Sequence, residues 1–333
     1  MEYRKLPKTD IEISALAFGA WAIGGWMWGG ADKKDAIKAI HTAMDEGITT
    51  IDTAPVYGMG KSETIVGEAI KGHRNDVKIL TKFGLTWELK KGEFYFESTD
   101  NRGKPVDIYK YAAKDRVIKE CEDSLKRLNT DYIDLLQIHW PDPTTPVEET
   151  MEAFQILLQQ GKIRAAGVCN FHVDLLKEAM KNVELVSNQV PYSMVKRDIE
   201  NDLVPYCLEN NIGILAYSPL QRGVLTGKFK PGHEFNEGDS RTNAPEYKEP
   251  NLSRINNFLD QIKPVAEAHD ATLAQLVLNW TLYRPGITCV LAGARNEMQV
   301  KDNVKALSFK LSGDEVETIN DLLNNLVIER NKK

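Results

Sequence analysis

Four side chains that together can deliver a proton follow three successive predicted strands. Asp52 and Tyr57 follow the first of these strands, Lys82 ends the second and His139 ends the third, in the strings TTIDTAPVYG, VKILTKFG and YIDLLQIHWP. Because the parallel strands of a closed barrel end on one face, we expect these carboxylate, phenol, ammonium and imidazole groups to converge there. The combination predicts an active site.

The four groups suit carbonyl chemistry. A free tyrosine has a pKa of about 10 and holds its proton at neutral pH. An adjacent Lys82 would favour the phenolate and make Tyr57 a better proton donor, and Asp52 would keep Lys82 charged and fixed. His139 would donate a hydrogen bond to a substrate oxygen. Protonation of an oxygen while hydride reaches the adjacent carbon is carbonyl reduction, and the reverse is alcohol oxidation.

Each of these residues also has a purely structural interpretation. Asp52 could cap a turn, Tyr57 could be a surface aromatic and His139 could be a hydrogen-bonded core residue. Lys82 is harder to explain in this way, since lysine is rarely buried without a partner. The prediction of a site therefore depends on their joint occurrence at successive strand ends.

The rest of the chain alternates strands and helices. Strands are predicted near 16–21, 49–54, 77–83, 132–139, 163–170, 184–192, 213–220 and 288–294, and helices near 32–47, 62–72, 114–129, 146–162, 172–182, 202–211, 252–269, 272–284 and 296–307. This pattern predicts an α/β fold, a single (β/α)₈ TIM barrel over residues 1–333, with an N-terminal β-hairpin at 3–14 and an extra C-terminal helix at 312–330. The long connections 84–113 and 219–251 are predicted loops of the kind that carry function.

Composition narrows the class of protein. The 333 residues are 42% hydrophobic and 27% charged, with a net charge of −6 spread along the chain. This balance is typical of a globular protein and argues against binding to nucleic acid or to an anionic membrane. The N-terminus lacks the features of a secretory signal, no apolar run reaches membrane-spanning length, and the four cysteines show no CxxC or zinc spacing. We expect a cytoplasmic protein with a small-molecule substrate and no metal.

The chain resembles the aldo-keto reductases from end to end. The resemblance lies in the strings FGAWAIGG, DTAPVYGMGKSE, LLQIHWPD, GKIRAAGVCNF, NQVPYS, AYSPLQRGVLTGK and LAGARNEMQVKDN. It is most similar to the bacterial branch of general-stress and inositol-operon reductases, which also resembles potassium-channel β subunits. The resemblance implies NADPH-dependent reduction of aldehydes or ketones, sugar-derived ones included. The resemblance also implies that Tyr57 is the general acid/base, that Lys82 and Asp52 adjust its pKa, and that His139 orients the carbonyl. We expect a monomer or a weak homo-oligomer.

The resemblance also implies a nicotinamide dinucleotide extended across the barrel mouth. No GxGxxG follows a predicted strand, and GMGKS lacks the first glycine of a P-loop, so neither of those phosphate-binding motifs is present. By position, the residues implied to bind the cofactor are Asn170 and Gln189 at the carboxamide, Tyr217 on the nicotinamide ring, Ser218, Leu220, Arg222 and Gly223 at the pyrophosphate, Lys228 and Arg241 in a closing loop, and Gly293, Arg295, Gln299 and Asn303 at the adenosine phosphate.

The adenosine end departs from the family pattern. Many members have Lys-Ser where this chain has Gly293-Ala294, and Arg where it has Gln299. A 2′-phosphate would then depend on Arg295 and neighbouring backbone, a sound anion site at a helix N-terminus. The prediction favours NADP(H) over NAD(H), with a solvated surface charge as the alternative for Arg295.

Tryptophans are frequent in the predicted mouth loops. Their rings suit sugar CH faces and aryl aldehydes, although some of them will simply pack on each other. Trp21 and Trp140 flank the predicted catalytic positions, and we expect them to contact the substrate.

Three other interpretations compete with a carbonyl reductase. A Schiff-base lyase would need Lys82 with a lowered pKa, which an adjacent Asp52 opposes. A metal-dependent hydrolase lacks support, because no two histidines stand at HxH or HxxxH spacing. From a different class, a cofactor-sensing binding subunit with slow turnover is the main alternative to an enzyme.

Overall fold

The computed structural model describes residues 1–28, 30–235, 239 and 241–330. Its strands are β1 (Tyr3–Lys5), β2 (Glu12–Ser14), β3 (Leu16–Gly19), β4 (Thr50–Asp52), β5 (Lys78–Phe83), β6 (Leu85–Thr86), β7 (Glu93–Thr99), β8 (Pro105–Lys110), β9 (Leu135–Ile138), β10 (Ala166–Cys169), β11 (Leu185–Pro191), β12 (Gly213–Tyr217) and β13 (Ile287–Gly293). Its α-helices are α1 (Lys33–Asp45), α2 (Lys61–Ala69), α3 (Lys114–Leu128), α4 (Val147–Gln159), α5 (Val173–Ala179), α6 (Leu203–Glu209), α7 (Asn251–Ala268), α8 (Leu273–Leu282), α9 (Glu297–Val304) and α10 (Gly313–Asn324). No helix in these ranges is both long and apolar enough to cross a membrane.

Eight parallel strands close into a barrel in the order β10-β11-β12-β13-β3-β4-β5-β9. The predicted (β/α)₈ barrel is confirmed, and so is the N-terminal hairpin, in which Tyr3 pairs with Ser14. Side chains alternate between two apolar clusters, as on β9, where Leu135 lies in the barrel interior and Leu136 packs under the helices. The interior is thus a packed core, and polar side chains inside it are exceptions that need a reason.

The connection at 84–113 was predicted to be a loop, and this prediction was wrong. It folds into a three-stranded antiparallel sheet in the order β6-β8-β7. The signal was present in EFYFEST and PVDIYK, two β-rich segments joined by a turn in which the backbone N–H of Asp100 donates to the carbonyl of Lys104. The sheet adds an ordered wall beside the barrel mouth.

The extra C-terminal helix is present but shorter than predicted. It ends at Asn324 rather than at residue 330. The chain then runs along the start of α7, where Asn251 donates to the carbonyl of Glu329 and accepts from its backbone N–H. Arg254 adds an ion pair with the Glu329 carboxylate. These tertiary hydrogen bonds replace those that a longer helix would have made.

Candidate active site

The ammonium of Lys82 is the centre of a buried hydrogen-bond network. β4 and β5 are neighbours in the barrel, so Asp52 and Lys82 leave adjacent strands. Lys82 Nζ lies 2.7 Å from Asp52 Oδ2, 3.0 Å from the carbonyl of Thr53 and 3.2 Å from the hydroxyl of Tyr57. These bonds use all three ammonium protons. The lysine and aspartate side chains are almost completely buried, so their charges have one arrangement.

A tight turn after β4 holds Tyr57 against this ammonium. Gly58 has a φ of 71°, and a Cβ at that position would lie 2.5 Å from the carbonyl oxygen of Gly24. Asn101, in the turn between β7 and β8 of the three-stranded sheet (hereafter the outer sheet), donates to the Gly58 carbonyl at 3.0 Å. Glycine is required here for both its backbone angle and its close packing. The Gly24 and Asn101 segments therefore hold the turn that carries Tyr57.

The acidity of Tyr57 differs from the sequence-based expectation. Burial raises its pKa to about 12, and the opposing influence of Lys82 is too weak to reverse that shift. Burial acts to lower the pKa of Lys82, but the charge interactions with Asp52, Tyr57 and Cys169 and the hydrogen bond to Asp52 together raise that pKa above its ordinary value. Without bound ligand, Tyr57 is a protonated phenol beside a permanent cation.

His139 stands beside the phenol as a neutral imidazole. Its ring centroid lies 5.7 Å from that of Tyr57, with the planes at 82°. Its backbone is held on both sides, because its N–H donates to the Phe83 carbonyl and its carbonyl accepts from Asn170. Burial, helped by the charge of Lys82, lowers the pKa of His139 well below its ordinary range. A neutral ring can donate one hydrogen bond to a substrate oxygen at physiological pH.

Together these groups can protonate an oxygen placed at the barrel mouth. The Tyr57 oxygen accepts from Lys82, so its own proton remains for another acceptor. The ammonium stabilises the phenolate formed when that proton leaves. Asp52 in turn balances the ammonium.

Two amides link this network to the implied carboxamide site. Gln189 Nε2 donates to Asp52 Oδ1 at 2.8 Å and to Gln137 Oε1 at 3.4 Å. Gln137 was not among the residues predicted from the sequence. The available signal was its place on β9, two residues from Leu135 and two from His139, at an inward-facing position where an apolar residue is expected.

The other residues implied for the nicotinamide end are also joined. The Tyr217 hydroxyl donates to Asn170 Oδ1 at 2.9 Å. Asn170, directly after β10, has a φ of 63°, a left-handed conformation that asparagine tolerates. Asn170 also donates to the carbonyl of His139. The nicotinamide end is therefore hydrogen-bonded to the acid end of the site, which consists of Asp52, Tyr57, Lys82 and His139.

The loop after β12 has an unusual backbone. Ser218 and Arg222 have φ values of 56° and 55°, and Gly223 has 102°. The Gly223 N–H donates to the carbonyl of Leu220. Gln221 has a φ of 45°, so residues 221–223 are three consecutive left-handed residues, and a turn of this kind can form a backbone concavity for anions. The backbone here suits a pyrophosphate.

The two cations implied for the closing loop lie in different settings. Arg241 is held by Asp239 through a bidentate ion pair and lies over the rings of Phe235 and Trp28, at 4.7 and 5.5 Å. The contact with Trp28 joins this segment to the first mouth loop. Lys228 has an exposed side chain.

At the adenosine end, the four implied residues meet where β13 enters α9. Gln299 Oε1 accepts from the backbone N–H of Arg295 at 2.8 Å, and Asn303 donates to the Gly293 carbonyl at 3.3 Å. A cavity of about 230 Å³ opens beside them, lined by Gly30, Ala31, Asp32, Asp35, Arg295 and Asn296. The carboxylates of Asp32 and Asp35 were not predicted from the sequence, since they stand at the start of α1, far from Arg295 along the chain.

Aromatic side chains surround the phenol. Trp21 stacks on Tyr57 with ring centroids 6.1 Å apart, and Trp140 lies 5.4 Å from Tyr95 of the outer sheet. Trp26 stacks on Phe96 and donates from its indole nitrogen to Ser98 at 3.0 Å. The outer sheet therefore supplies part of the wall around the predicted substrate position.

Comparison with known proteins places the chain in a family. The model of the Aldo/keto reductase family matches residues 15–324. The chain belongs to this family. The sequence-based resemblance is thus confirmed, and the tetrad around Lys82 lies within the matched region.

Aldo/keto reductases of known sequence and structure align with nearly the whole chain. Aldo-keto reductase YhdN of Bacillus subtilis is 38% identical over 98% of this chain and 95% of its own length, and the NADH-specific methylglyoxal reductase of Escherichia coli is 37% identical over 93% and 95%. The glycerol dehydrogenase AKR11B4 of Gluconobacter oxydans superposes with a TM-score of 0.88 at 37% identity, covering 99% of this chain and 97% of that one. An aldo-keto reductase of Klebsiella pneumoniae in complex with NADPH gives 0.73 at 27% identity, covering 97% and 95%.

Proposed function

We propose that this protein is an NADP(H)-dependent oxidoreductase that reduces aldehydes or ketones to alcohols, with Tyr57 as the proton donor. The observation that carries the proposal is the position of Lys82 Nζ, 3.2 Å from the Tyr57 hydroxyl and 2.7 Å from Asp52. A phenol held against a buried, paired ammonium keeps its proton until an acceptor is present, and the ammonium then stabilises the phenolate that forms.

The chain's own residues divide the work around the carbonyl. Tyr57 protonates the substrate oxygen, and Lys82 stabilises the phenolate that remains. Asp52 keeps the ammonium in place. His139, as a neutral imidazole, donates a hydrogen bond that orients the carbonyl toward the phenol. Trp21 and Trp140 bound the substrate on either side and exclude water.

The nicotinamide cofactor supplies the hydride when bound. The proposal places its carboxamide at Asn170 and Gln189, its ring on Tyr217 and its pyrophosphate on the left-handed backbone of 218–223. Lys228 adds positive charge, Arg241 lies in the closing loop paired with Asp239, and Arg295 with its neighbours Gly293, Gln299 and Asn303 receives the adenosine phosphate. The fit rests on the conformation of this backbone and on the cavity beside Arg295.

A preference for NADP(H) over NAD(H) is part of the proposal. It is supported by the exposed guanidinium of Arg295 at the helix N-terminus and by the NADPH complex of the Klebsiella relative. Asp32 and Asp35 in the same cavity act against a 2′-phosphate, and one relative is NADH-specific. We therefore expect a moderate rather than a strict preference.

Small oxygenated carbonyls are the proposed substrates. Two relatives are named for methylglyoxal and for glycerol, and both of these compounds have short carbon chains with oxygens on neighbouring carbons. Sugar-derived aldehydes fit the same aromatic walls.

The test combines cofactor titration with turnover. Protein fluorescence is titrated with NADPH and NADH, and aldehyde-dependent cofactor oxidation is then followed for the wild type and Tyr57→Phe. We expect the variant to bind NADPH like the wild type and to lose about 10²- to 10⁴-fold in kcat, the usual contribution of a general acid. Tyr109→Phe, whose ring packs on the exposed Phe94, is the matched control and should turn over normally.

Other outcomes separate the classes of protein. Binding of neither nucleotide would refute the oxidoreductase. Tight NADPH binding without turnover on a broad carbonyl panel would instead support a cofactor-sensing subunit. The single domain, the cytoplasmic location and the monomeric or weakly oligomeric state stay predictions.

A further inference from the structure

A glutamine side chain lies at a position of the barrel interior that favours an apolar residue. Gln137 is completely buried on β9. Its Nε2 has no hydrogen-bond partner in the part of the chain that the structure describes. A buried amide donor left unpaired is unfavourable, and leucine would avoid the cost. Such a group calls for a role beyond packing.

Gln137 serves as an acceptor for Gln189. The two protons on Gln189 Nε2 go to Asp52 Oδ1 at 2.8 Å and to Gln137 Oε1 at 3.4 Å. A flipped Gln189 amide would set its oxygen against both the Asp52 carboxylate and the Gln137 carbonyl, which would repel it. The Asp52 carboxylate, which can only accept, sets which way the Gln189 amide faces, and Gln137 Oε1 accepts its second proton at the longer distance.

The neighbouring strand leaves room for this arrangement. Gly167 on β10 lies between Gln137 on β9 and Ser187 on β11 in the barrel register. A Cβ at Gly167 would lie 3.2 Å from Gln137 Cγ and 2.4 Å from Ser187 Oγ. Any side chain at 167 would therefore disturb both residues.

We propose that Gln137 is a positioning residue that fixes the amide of Gln189, so that Gln189 Oε1 faces the cofactor carboxamide while Gln189 Nε2 holds Asp52. The proposal rests on the proposed function, because Gln189 must meet the carboxamide N–H group. Gln137 itself contacts neither cofactor nor substrate. Through Gln189 it ties the carboxamide site to the Asp52–Lys82–Tyr57 network.

The experiment removes the carboxamide N–H group and the Gln137 acceptor separately. Dissociation constants are measured by protein fluorescence for NADP⁺ and for its 3-acetylpyridine analogue, in which a methyl group replaces the carboxamide NH₂. NAD⁺ and its analogue are run in parallel. Gln137→Met keeps the side-chain length without a hydrogen-bonding group. We expect this variant to weaken NADP⁺ binding by about 3- to 10-fold, which corresponds to the free energy of one hydrogen bond. Binding of the analogue should weaken by less than about 2-fold.

Further variants keep the test decisive. Gln189→Met should likewise weaken binding of NADP⁺ more than binding of the analogue. The double variant should lose no more NADP⁺ affinity than Gln189→Met alone, since both substitutions act on one interaction. Ser187→Ala is the matched control from the same barrel layer, and its ratio of the two dissociation constants should match the wild type. Gln137→Leu gives a second apolar replacement should the methionine variant fold poorly.

The outcomes distinguish this inference from the proposed function. Equal weakening of NADP⁺ and analogue in Gln137→Met, or no weakening of either, overturns the positioning role and leaves the reductase intact. Equal binding of the two ligands by the wild type does the same, because the N–H group would then not be recognised. A wild type that binds no dinucleotide overturns both proposals.

Discussion

The acid end and the adenosine end of the proposed cofactor cleft use charged residues in opposite ways. At the acid end, Lys82 and Asp52 are 1% and 3% exposed and lie 2.7 Å apart. At the adenosine end, Arg295 shares an open cavity with Asp32 and Asp35, and all three side chains are exposed. Buried charges must be paired, whereas exposed charges are screened by water and salt. Substitutions at the acid end should therefore change both turnover and the free energy of unfolding. Substitutions at the adenosine end should leave the free energy of unfolding almost unchanged.

The largest expected effect comes from breaking the buried pair. Lys82→Met should lower the free energy of unfolding by about 3–5 kcal/mol, because it leaves the Asp52 carboxylate buried without its cation. It should also abolish turnover. Urea unfolding followed by fluorescence measures the first effect.

The matching control removes both charges. Lys82→Met combined with Asp52→Asn should be more stable than Lys82→Met alone, since no uncompensated charge remains. A double variant as unstable as the sum of the two single variants would show that packing, not charge pairing, dominates at this end.

The same contrast explains what the sequence could predict. The barrel and the residues around Lys82 were predictable because strand ends of a parallel barrel share one face, and a lysine at such an end needs a carboxylate. Gln137 was missed because alternation with Leu135 and His139 indicates only that it faces inward, whereas its contact with Gln189 depends on the register of the closed barrel. Asp35 was missed because it reaches the cavity only through the packing of α1 beside α9.

The net acidity of Tyr57 could not be read from residue types. The sequence gives Lys82 as a neighbour that lowers the pKa of Tyr57, and that influence is present. How deeply the phenol is buried depends on Gly58 and on an outer sheet that was predicted to be a loop. Burial is a three-dimensional quantity, and here it decides the sign of the shift.

At the exposed end, the largest expected effect is on cofactor affinity. Arg295→Ala should weaken NADPH binding by about 10-fold or more, the usual contribution of a charge-assisted hydrogen bond. The affinity for NADH should stay within about 2-fold of the wild-type value. The free energy of unfolding should change by less than about 0.5 kcal/mol, as for other surface substitutions. Titration with both nucleotides and urea unfolding check the two halves. Equal weakening of both nucleotides would remove the 2′-phosphate from this cavity.

A smaller effect is expected from acid at the buried end. His139 has a pKa well below its ordinary 6.5 in the folded protein, so between those two values the unfolded chain binds a proton that the folded chain does not. Stability should therefore fall as the pH drops below about 6.5, by up to about 1.4 kcal/mol per pH unit from this group. Unfolding free energies of wild type and His139→Gln at pH 7.5 and 5.5 isolate the contribution. Parallel pH dependence in the two proteins would contradict it.

The smallest predicted effect concerns the carboxylates beside Arg295. Asp32 caps α1 by accepting from the backbone N–H groups of Lys34 and Asp35, so replacing it would disturb the helix. Asp35→Asn removes a negative charge from the cavity and keeps the size of the side chain. NADPH affinity should rise by about 2- to 5-fold at about 0.1 M salt and by less at about 1 M salt, because screening weakens an exposed charge, while NADH affinity stays the same.

Asp45→Asn provides the matched control at the other end of the same helix. Ten residues of helix separate the two positions by about 15 Å, which exceeds the Debye length of about 10 Å at 0.1 M salt. A gain in NADPH affinity in Asp35→Asn alone would locate the 2′-phosphate beside α1 and make Asp35 the residue that moderates the cofactor preference. A gain in both variants would reflect only net charge, and the preference would then depend on Arg295 without an opposing carboxylate.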